Sequence, residues 1–262
     1  MRTRMVYLPI DWTAFCRWAG NRSLLRPGAF DEGYAMHVLL CAVFGKAVLQ
    51  PYRLVRTARA SIASLYAYSS QDRETLLGTA QGVAPPEAHG VLGFDDLATK
   101  TMPDRFRSGQ RLGFDVRVRP VRRLGRDLLD SQSGRVLRKG SELDAFRLEL
   151  LHRSPDGWRN AESLAGRNGI SRQSVYTNWL TERLDGAASV ETAGCRLVDF
   201  RRARAWRGKG RGSEGPDATM QGELMVRDPE EFARKLRCGV GRHRAYGYGM
   251  LIARPPTPRQ RG

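Results

Sequence analysis

The chain has 262 residues, with 44 Lys and Arg against 27 Asp and Glu for a formal charge of +17, and 41% of its residues are hydrophobic. That length and apolar content bury a core in one large domain or two small ones, which excludes disorder throughout. A positive surplus of this size concentrates polyanions, and its skew to Arg favours phosphate, so nucleic acid is the expected partner. No apolar run approaches the roughly 20 residues of a membrane span. Pro9 and Asp11 interrupt the N-terminal stretch before a signal-peptide core could form, so a cytoplasmic protein without a membrane partner is expected.

In chain order, residues 5–10 read as a short strand that Pro9 confines to an edge or an end, followed by an Arg-, Gly- and Pro-rich loop to residue 28. Residues 29–44 have helical periodicity: Val38, Leu39, Ala42 and Val43 make an apolar stripe with Ala35 one turn earlier, and Phe30, Tyr34, His37 and Cys41 form the adjoining stripe. Residues 60–67 read as a strand, 70–79 as a short helix and 91–102 as extended. Residues 112–118 alternate most clearly, with Phe114, Val116 and Val118 on a core face and Asp115, Arg117 and Arg119 on a mostly basic one. Pro120 and the Arg-rich loop after it mark a boundary near residue 123.

The second half offers the same materials. Residues 141–152 and 171–184 read as amphipathic helices, 188–202 as extended, and 219–227 as a strand with Met220, Gly222, Leu224 and Val226 on one face. Asp228, Pro229 and Glu231 predict a helix start with an Asp cap, a first-position proline and a capping box, and Gly239 ends that helix. A strand over 248–253 precedes a flexible tail at 255–262. The alternation of strands and helices in each half predicts an α+β fold of the ferredoxin-like kind, with helices on one face of an antiparallel sheet.

Three basic clusters stand out. Arg105, Arg107, Arg111, Arg117, Arg119, Arg122 and Arg123 lie on and around the strand at 112–118. Arg201, Arg202, Arg204, Arg207, Lys209 and Arg211 share a Gly-rich run suited to a hairpin that enters a nucleic-acid groove. In residues 238–251, Gly239, Gly241, Gly247 and Gly249 accompany Arg242, His243 and Arg244, a composition that lets backbone amides and cations approach phosphate. This segment is not a dinucleotide-binding turn: Arg244 stands where a third glycine belongs, and the loop follows a helix.

Tyr34 and His37 share a helix face, a spacing that suits proton transfer by imidazole beside an orienting phenol, although a histidine among apolar residues is also a common packing residue. His89, His152 and His243 are the other histidines, His243 being a second candidate. Cys16, Cys41, Cys195 and Cys238 lack zinc or disulfide spacing, and the acids occur as adjacent pairs that point apart, so no metal site or cofactor is expected. Residues 154–184 also read as helix-turn-helix, which raises a rival DNA-binding regulator with Arg172, Gln173 and Tyr176 towards the groove.

Taken in order, Tyr34-x-x-His37, the strand RLGFDVRVRPVRR at 111–123, the basic run at 201–212 and the closing GELMVRDPEEFARKLRCGVGRHRAYGYGMLIARPP resemble CasE, the repeat-processing endoribonuclease of type I-E CRISPR systems. The resemblance implies two tandem ferredoxin-like (RRM-like) domains, here 1–123 and 124–254, that bind the CRISPR repeat stem-loop and cut at the 3′ base of the stem without metal. It implies attack by the ribose 2′-hydroxyl, a 2′,3′-cyclic phosphate product, proton transfer by His37 and positioning by Tyr34. RNA contacts are expected from Arg105, Arg107, Arg117, Arg119, Arg122, the cations of the 201–211 run, and Gly241, Arg242, His243, Arg244, Gly247 and Gly249. The guide RNA would be retained in the Cascade complex. A basic RNA-binding scaffold without cleavage is the remaining alternative.

Overall fold

The computed structural model describes residues 2–26, 29–103, 105–130, 134–153, 170–205 and 213–256. Its first half contains β1 (Arg4–Asp11), α1 (Trp12–Asn21), β2 (Leu25–Arg26), β3 (Ala29–Phe30), α2 (Glu32–Phe44), β4 (Tyr52–Val55), β5 (Ile62–Ser69), α3 (Arg73–Val83), α4 (Pro86–His89) and β6 (Ala98–Thr101). Four of these strands form an antiparallel sheet in the order β4-β5-β1-β6. Alternation sets its two faces: Val6, Leu8, Ile10, Ala63, Leu65 and Ala67 pack under the helices, while Met5, Tyr66 and Tyr68 turn to the other core.

The second half continues with β7 (Arg111–Val118), β8 (Val121–Arg123), β9 (Leu128–Asp130), β10 (Arg135–Leu137), β11 (Glu142–Asp144), α5 (Ala145–Arg153), α6 (Arg172–Leu184), β12 (Ala188–Val190), β13 (Arg196–Ala205), β14 (Ser213–Val226), α7 (Pro229–Cys238) and β15 (Leu251–Arg254). The order β12-β14-β7-β15, with β13 also on β14, makes the larger antiparallel sheet. Phe114, Val116, Val118, Met220, Leu224 and Val226 form its apolar face against Trp179 and Leu180 of α6 and Phe232 and Leu236 of α7.

The α+β architecture with antiparallel sheets is the expected one, but several boundaries differ. The strand that the sequence reading assigned to the N-terminal unit, β7, is hydrogen-bonded to β14 and β15. Residues 12–21 are helical instead of looped: Asp11 accepts from the Ala14 amide at 2.8 Å and Phe15, Trp18 and Ala19 are buried. The helix expected from residue 29 starts at Glu32, where Asp31 accepts from the Tyr34 amide at 2.9 Å. Its buried residues are Ala35, Met36, Leu39, Leu40, Val43 and Phe44, with Ala42 exposed, which turns the apolar stripe and leaves Tyr34, His37 and Cys41 half-buried.

The helix expected over 141–152 is split. Glu142–Asp144 pairs with Val121–Arg123 before α5 begins. Asp228 caps α7 as expected, accepting from the Glu230 and Glu231 amides at 2.9 and 3.0 Å, but the Glu231 carboxylate binds Arg234 instead of returning a capping-box bond. Residues 154–169, half of the helix-turn-helix reading, lie outside the described residues. Its remaining half contradicts that reading: Tyr176 is fully buried and donates to Asp144, Arg172 bonds the same carboxylate and packs over Phe200, and Gln173 accepts from the Leu197 amide.

Candidate active site

Helix α2 and the glycine-rich loop meet where Gly33 packs against the backbone of Tyr246. A Cβ at Gly33 would lie 3.1 Å from the Tyr246 carbonyl carbon and closer still to its oxygen, so only glycine permits this approach. The Tyr52 hydroxyl donates to the Gly33 carbonyl at 2.7 Å and its ring lies against Gly247, so β4 supports both partners. Tyr246 is thereby set beside the two candidate catalytic side chains. Its ring stands edge-on to His37 with centroids 5.2 Å apart, and tilted to Tyr34 at 6.2 Å.

On its other flank His37 meets the Cys41 thiol, whose Sγ is 3.6 Å from Nδ1. Burial, and then the positive charge of Lys46, lower the His37 pKa below its ordinary 6.5. A lowered value leaves the imidazole neutral at pH 7, which is the form that accepts a proton.

Beside this cluster opens a cleft of about 510 Å³, bounded by Phe30, Glu32 and Gly33, by Arg117 and Arg201, and by Tyr246. Its electrostatics rest on a pair of arginines around one buried carboxylate. Arg117 donates to both oxygens of Asp217 at 2.8 and 2.7 Å, and Arg201 donates to Asp217 at 2.7 Å and to Glu32 at 2.9 Å. Arg117 also covers the Tyr248 ring. Burial raises the Asp217 pKa, but the hydrogen bonds and charges of Arg117 and Arg201 outweigh it and leave the carboxyl below its usual range. A parallel network joins Asp115 to Arg53, to Arg254 at 3.0 Å and to Gln221 at 2.6 Å.

The face of β7 expected to be basic and open is therefore buried and paired. Arg119 is likewise buried, donating to the Ala203 carbonyl at 3.3 Å. The glycine loop also differs from an open phosphate cradle. His243 is buried and bonds Glu142 at 2.7 Å, Arg242 pairs with the same carboxylate, and Arg244 donates to the Cys238 carbonyl. Gly241 sits under the Trp179 ring at a positive φ of 78°, so its lack of a side chain serves packing. Gly247 and Gly249 are buried as well.

The other basic residues fall into separate places. Arg117, Arg201, Arg202 and Arg204 line the cleft beside the first turn of α2, with Arg202 paired to Glu214, whereas Arg122 pairs with Glu182 and Arg242 with Glu142. Arg204 is exposed, with no carboxylate partner among the described residues. Arg105 and Arg107 are exposed before the N-terminal end of β7, roughly 25 Å of strand away from the cleft. Arg207, Lys209 and Arg211 lie outside the described residues. Sequence reasoning missed Tyr246, Gly33, Asp217 and Lys46; the tyrosine alternating with glycine at 246–249 was the one local signal for the first.

Comparisons with known proteins agree with this architecture. Solved structures with the same fold include Thermus thermophilus Cse3 bound to an RNA representing a pre-cleavage complex, at 19% identity and TM-score 0.55 over 97% of this chain and 100% of that one. Cas6e from Escherichia coli K-12 matches at 18% identity and TM-score 0.56, covering 96% and 99%. A chain of a CRISPR RNA-guided surveillance complex matches at 13% identity and TM-score 0.54, again over 96% and 99%. The fold is thus the tandem ferredoxin-like one of these structures. No curated protein matches. A family model described as CRISPR associated protein matches residues 18–255, nearly the whole length, and the chain belongs to that family.

Proposed function

We propose that this chain is a metal-independent endoribonuclease that binds the stem-loop of the CRISPR repeat and cuts the precursor RNA at the 3′ base of the stem. The observation that carries this reading is the placement of His37 and Tyr34 on one face of α2, against Tyr246 and beside an arginine-lined cleft. Its family and its likeness to RNA-bound Cse3 structures support the substrate class.

In the reaction the ribose 2′-oxygen forms a bond to the adjacent phosphorus as the bond to the 5′-oxygen breaks, leaving a 2′,3′-cyclic phosphate. The attacking hydroxyl loses a proton and the departing oxygen gains one. His37, neutral at pH 7, takes the first proton and can return it to the leaving oxygen. Tyr34 holds the scissile nucleotide, and the edge of Tyr246 limits the orientations open to the imidazole. Because the nucleophile belongs to the substrate, the chemistry needs no metal-activated water. Exposed Arg202, Arg204 and Arg242, with the 206–212 run, would track the stem through its phosphates, since the A-form major groove is too narrow for interior base reading. The product guide RNA stays bound and enters Cascade, a role supported by the likeness to a surveillance-complex chain.

The test is cleavage of the cognate repeat hairpin in EDTA. Wild-type protein is expected to cut once at the stem base, and His37→Ala to bind the RNA without cutting it. Undiminished cleavage by His37→Ala would sink the assignment.

A further inference from the structure

A second cationic cleft lies at the opposite end of α2 from the first. Arg2, the Lys46 turn after α2, Ser70 and Gln71 after β5, and Arg237 at the end of α7 border a space of about 490 Å³ floored by Tyr68. Arg2, Lys46 and Arg237 are all exposed, they come from three separate parts of the chain, and among the described residues no acid lines the space. The nearest acid in sequence, Asp72, is committed elsewhere: it accepts from Thr75 at 2.7 and 3.0 Å as the cap of α3 and pairs with Arg4.

This cleft begins just past the C-terminal end of α2, at Lys46, Ala47 and Val48, and on the helix itself the Cys41 thiol touches the His37 ring. Helix α2 is about 20 Å long, so cation-lined clefts lie at both of its ends with the Tyr34–His37 pair between them. An RNA whose stem lies on the Arg201 side, and whose 3′ strand runs along α2 past the Tyr34–His37 pair, would meet Lys46.

We propose that the Arg2–Lys46–Arg237 cleft binds the phosphodiester backbone of the single-stranded RNA immediately 3′ of the cleavage site, an inference that rests on the endoribonuclease reading above. Three cations on three elements suit successive phosphates of one strand. Such a site grips only the uncut precursor: once the 5′-oxygen leaves, the flank is a separate strand held by these contacts alone, and it dissociates while the stem stays bound. The protein thereby distinguishes precursor from processed guide.

The test uses two repeat hairpins with a 2′-deoxy residue at the cleavage position, which prevents cutting, one ending just past the scissile phosphate and the other carrying six further 3′ nucleotides. Fluorescence anisotropy is expected to show tighter binding of the flanked RNA, with three contacts making that advantage shrink about 20-fold between 50 and 200 mM salt. In Arg2→Gln/Arg237→Gln one contact remains, so the advantage should change only about 3-fold over the same range. Affinity for the short hairpin should be unaltered. Equal wild-type affinity for the two RNAs would overturn the proposal, as would a double variant that weakens both alike. Failure of the wild type to bind even the short hairpin would overturn the endoribonuclease reading itself, a result distinguishable from loss of the flank effect alone.

Discussion

Gly33→Ala is the most direct probe of whether the contact between α2 and the glycine loop assembles the site. The added methyl would meet the Tyr246 carbonyl, a backbone group that cannot swing aside as a side chain could. Restoring ordinary van der Waals separation requires the two segments to part by about 1 Å. Two energies compete in the fold: overpacking costs about 1–3 kcal/mol, and alanine in a helix gains up to about 1 kcal/mol over glycine. The net loss of stability is therefore at most about 3 kcal/mol, and the protein should remain folded. The consequence for catalysis is larger, because a displacement of about 1 Å between positioned groups costs on the order of 100-fold in rate. Single-turnover cleavage of the repeat hairpin, with thermal unfolding followed in parallel, separates the two effects. A wild-type rate in a folded Gly33→Ala protein would refute the argument that the Tyr246 contact positions the catalytic helix.

Tyr246→Phe keeps the ring and should cut at close to the wild-type rate, whereas Tyr246→Ala should slow single-turnover cleavage while leaving RNA affinity within about 2-fold; equal rates in both variants would show that the ring does not orient His37. With His37 acting as the base in neutral form, the rate should rise with pH to a plateau, with a midpoint below 6.5, and Lys46→Gln should move that midpoint upwards because a positive charge that disfavours imidazolium is removed. An unmoved midpoint would refute the assignment. Asp217→Ala leaves Arg117 buried without its carboxylate and should cost about 3–5 kcal/mol in urea unfolding. Since the folded Asp217 pKa lies below its unfolded value, the stability it contributes is present above pH ~4 and is lost as pH falls through the folded value, so Asp217→Asn should flatten stability over that acid range.

What the sequence made legible was local. The periodicity of residues 29–44 and 112–118, and the Asp-Pro start of α7, depend on neighbours within a turn or a strand, and these elements appear within three residues of the expected starts. The α1 signal was also present, in Asp11 followed by Phe15, Trp18 and Ala19, but the adjoining Arg, Gly and Pro residues gave the segment a loop's composition. Charge pairing was illegible because it is long-range. Nothing near Arg117 in sequence announces Asp217 a hundred residues later, and nothing near Tyr34 announces Tyr246. Glycines in the C-terminal loop signalled close approach, yet composition alone could not say whether the approaching group was a phosphate or the Trp179 ring.

The buried pairs change what the charge of +17 means for RNA binding. A guanidinium held on both nitrogens by a buried carboxylate cannot turn to a phosphate without abandoning that carboxylate in a poorly solvated place, and the cost of stranding a buried charge exceeds what one exposed phosphate contact returns. Arg117 is in this position. Arg201 differs, because its side chain is 54% exposed and its loss would still leave Asp217 bonded to Arg117. It can therefore exchange Glu32 for a phosphate at small cost. That exchange would free the carboxylate on the first turn of α2, where the N-terminal end of the helix stabilises it. On the proposed reading, the electrostatic grip on RNA would therefore fall to the exposed arginines of β13, and Arg117 with Asp217 forms the fixed base from which they extend.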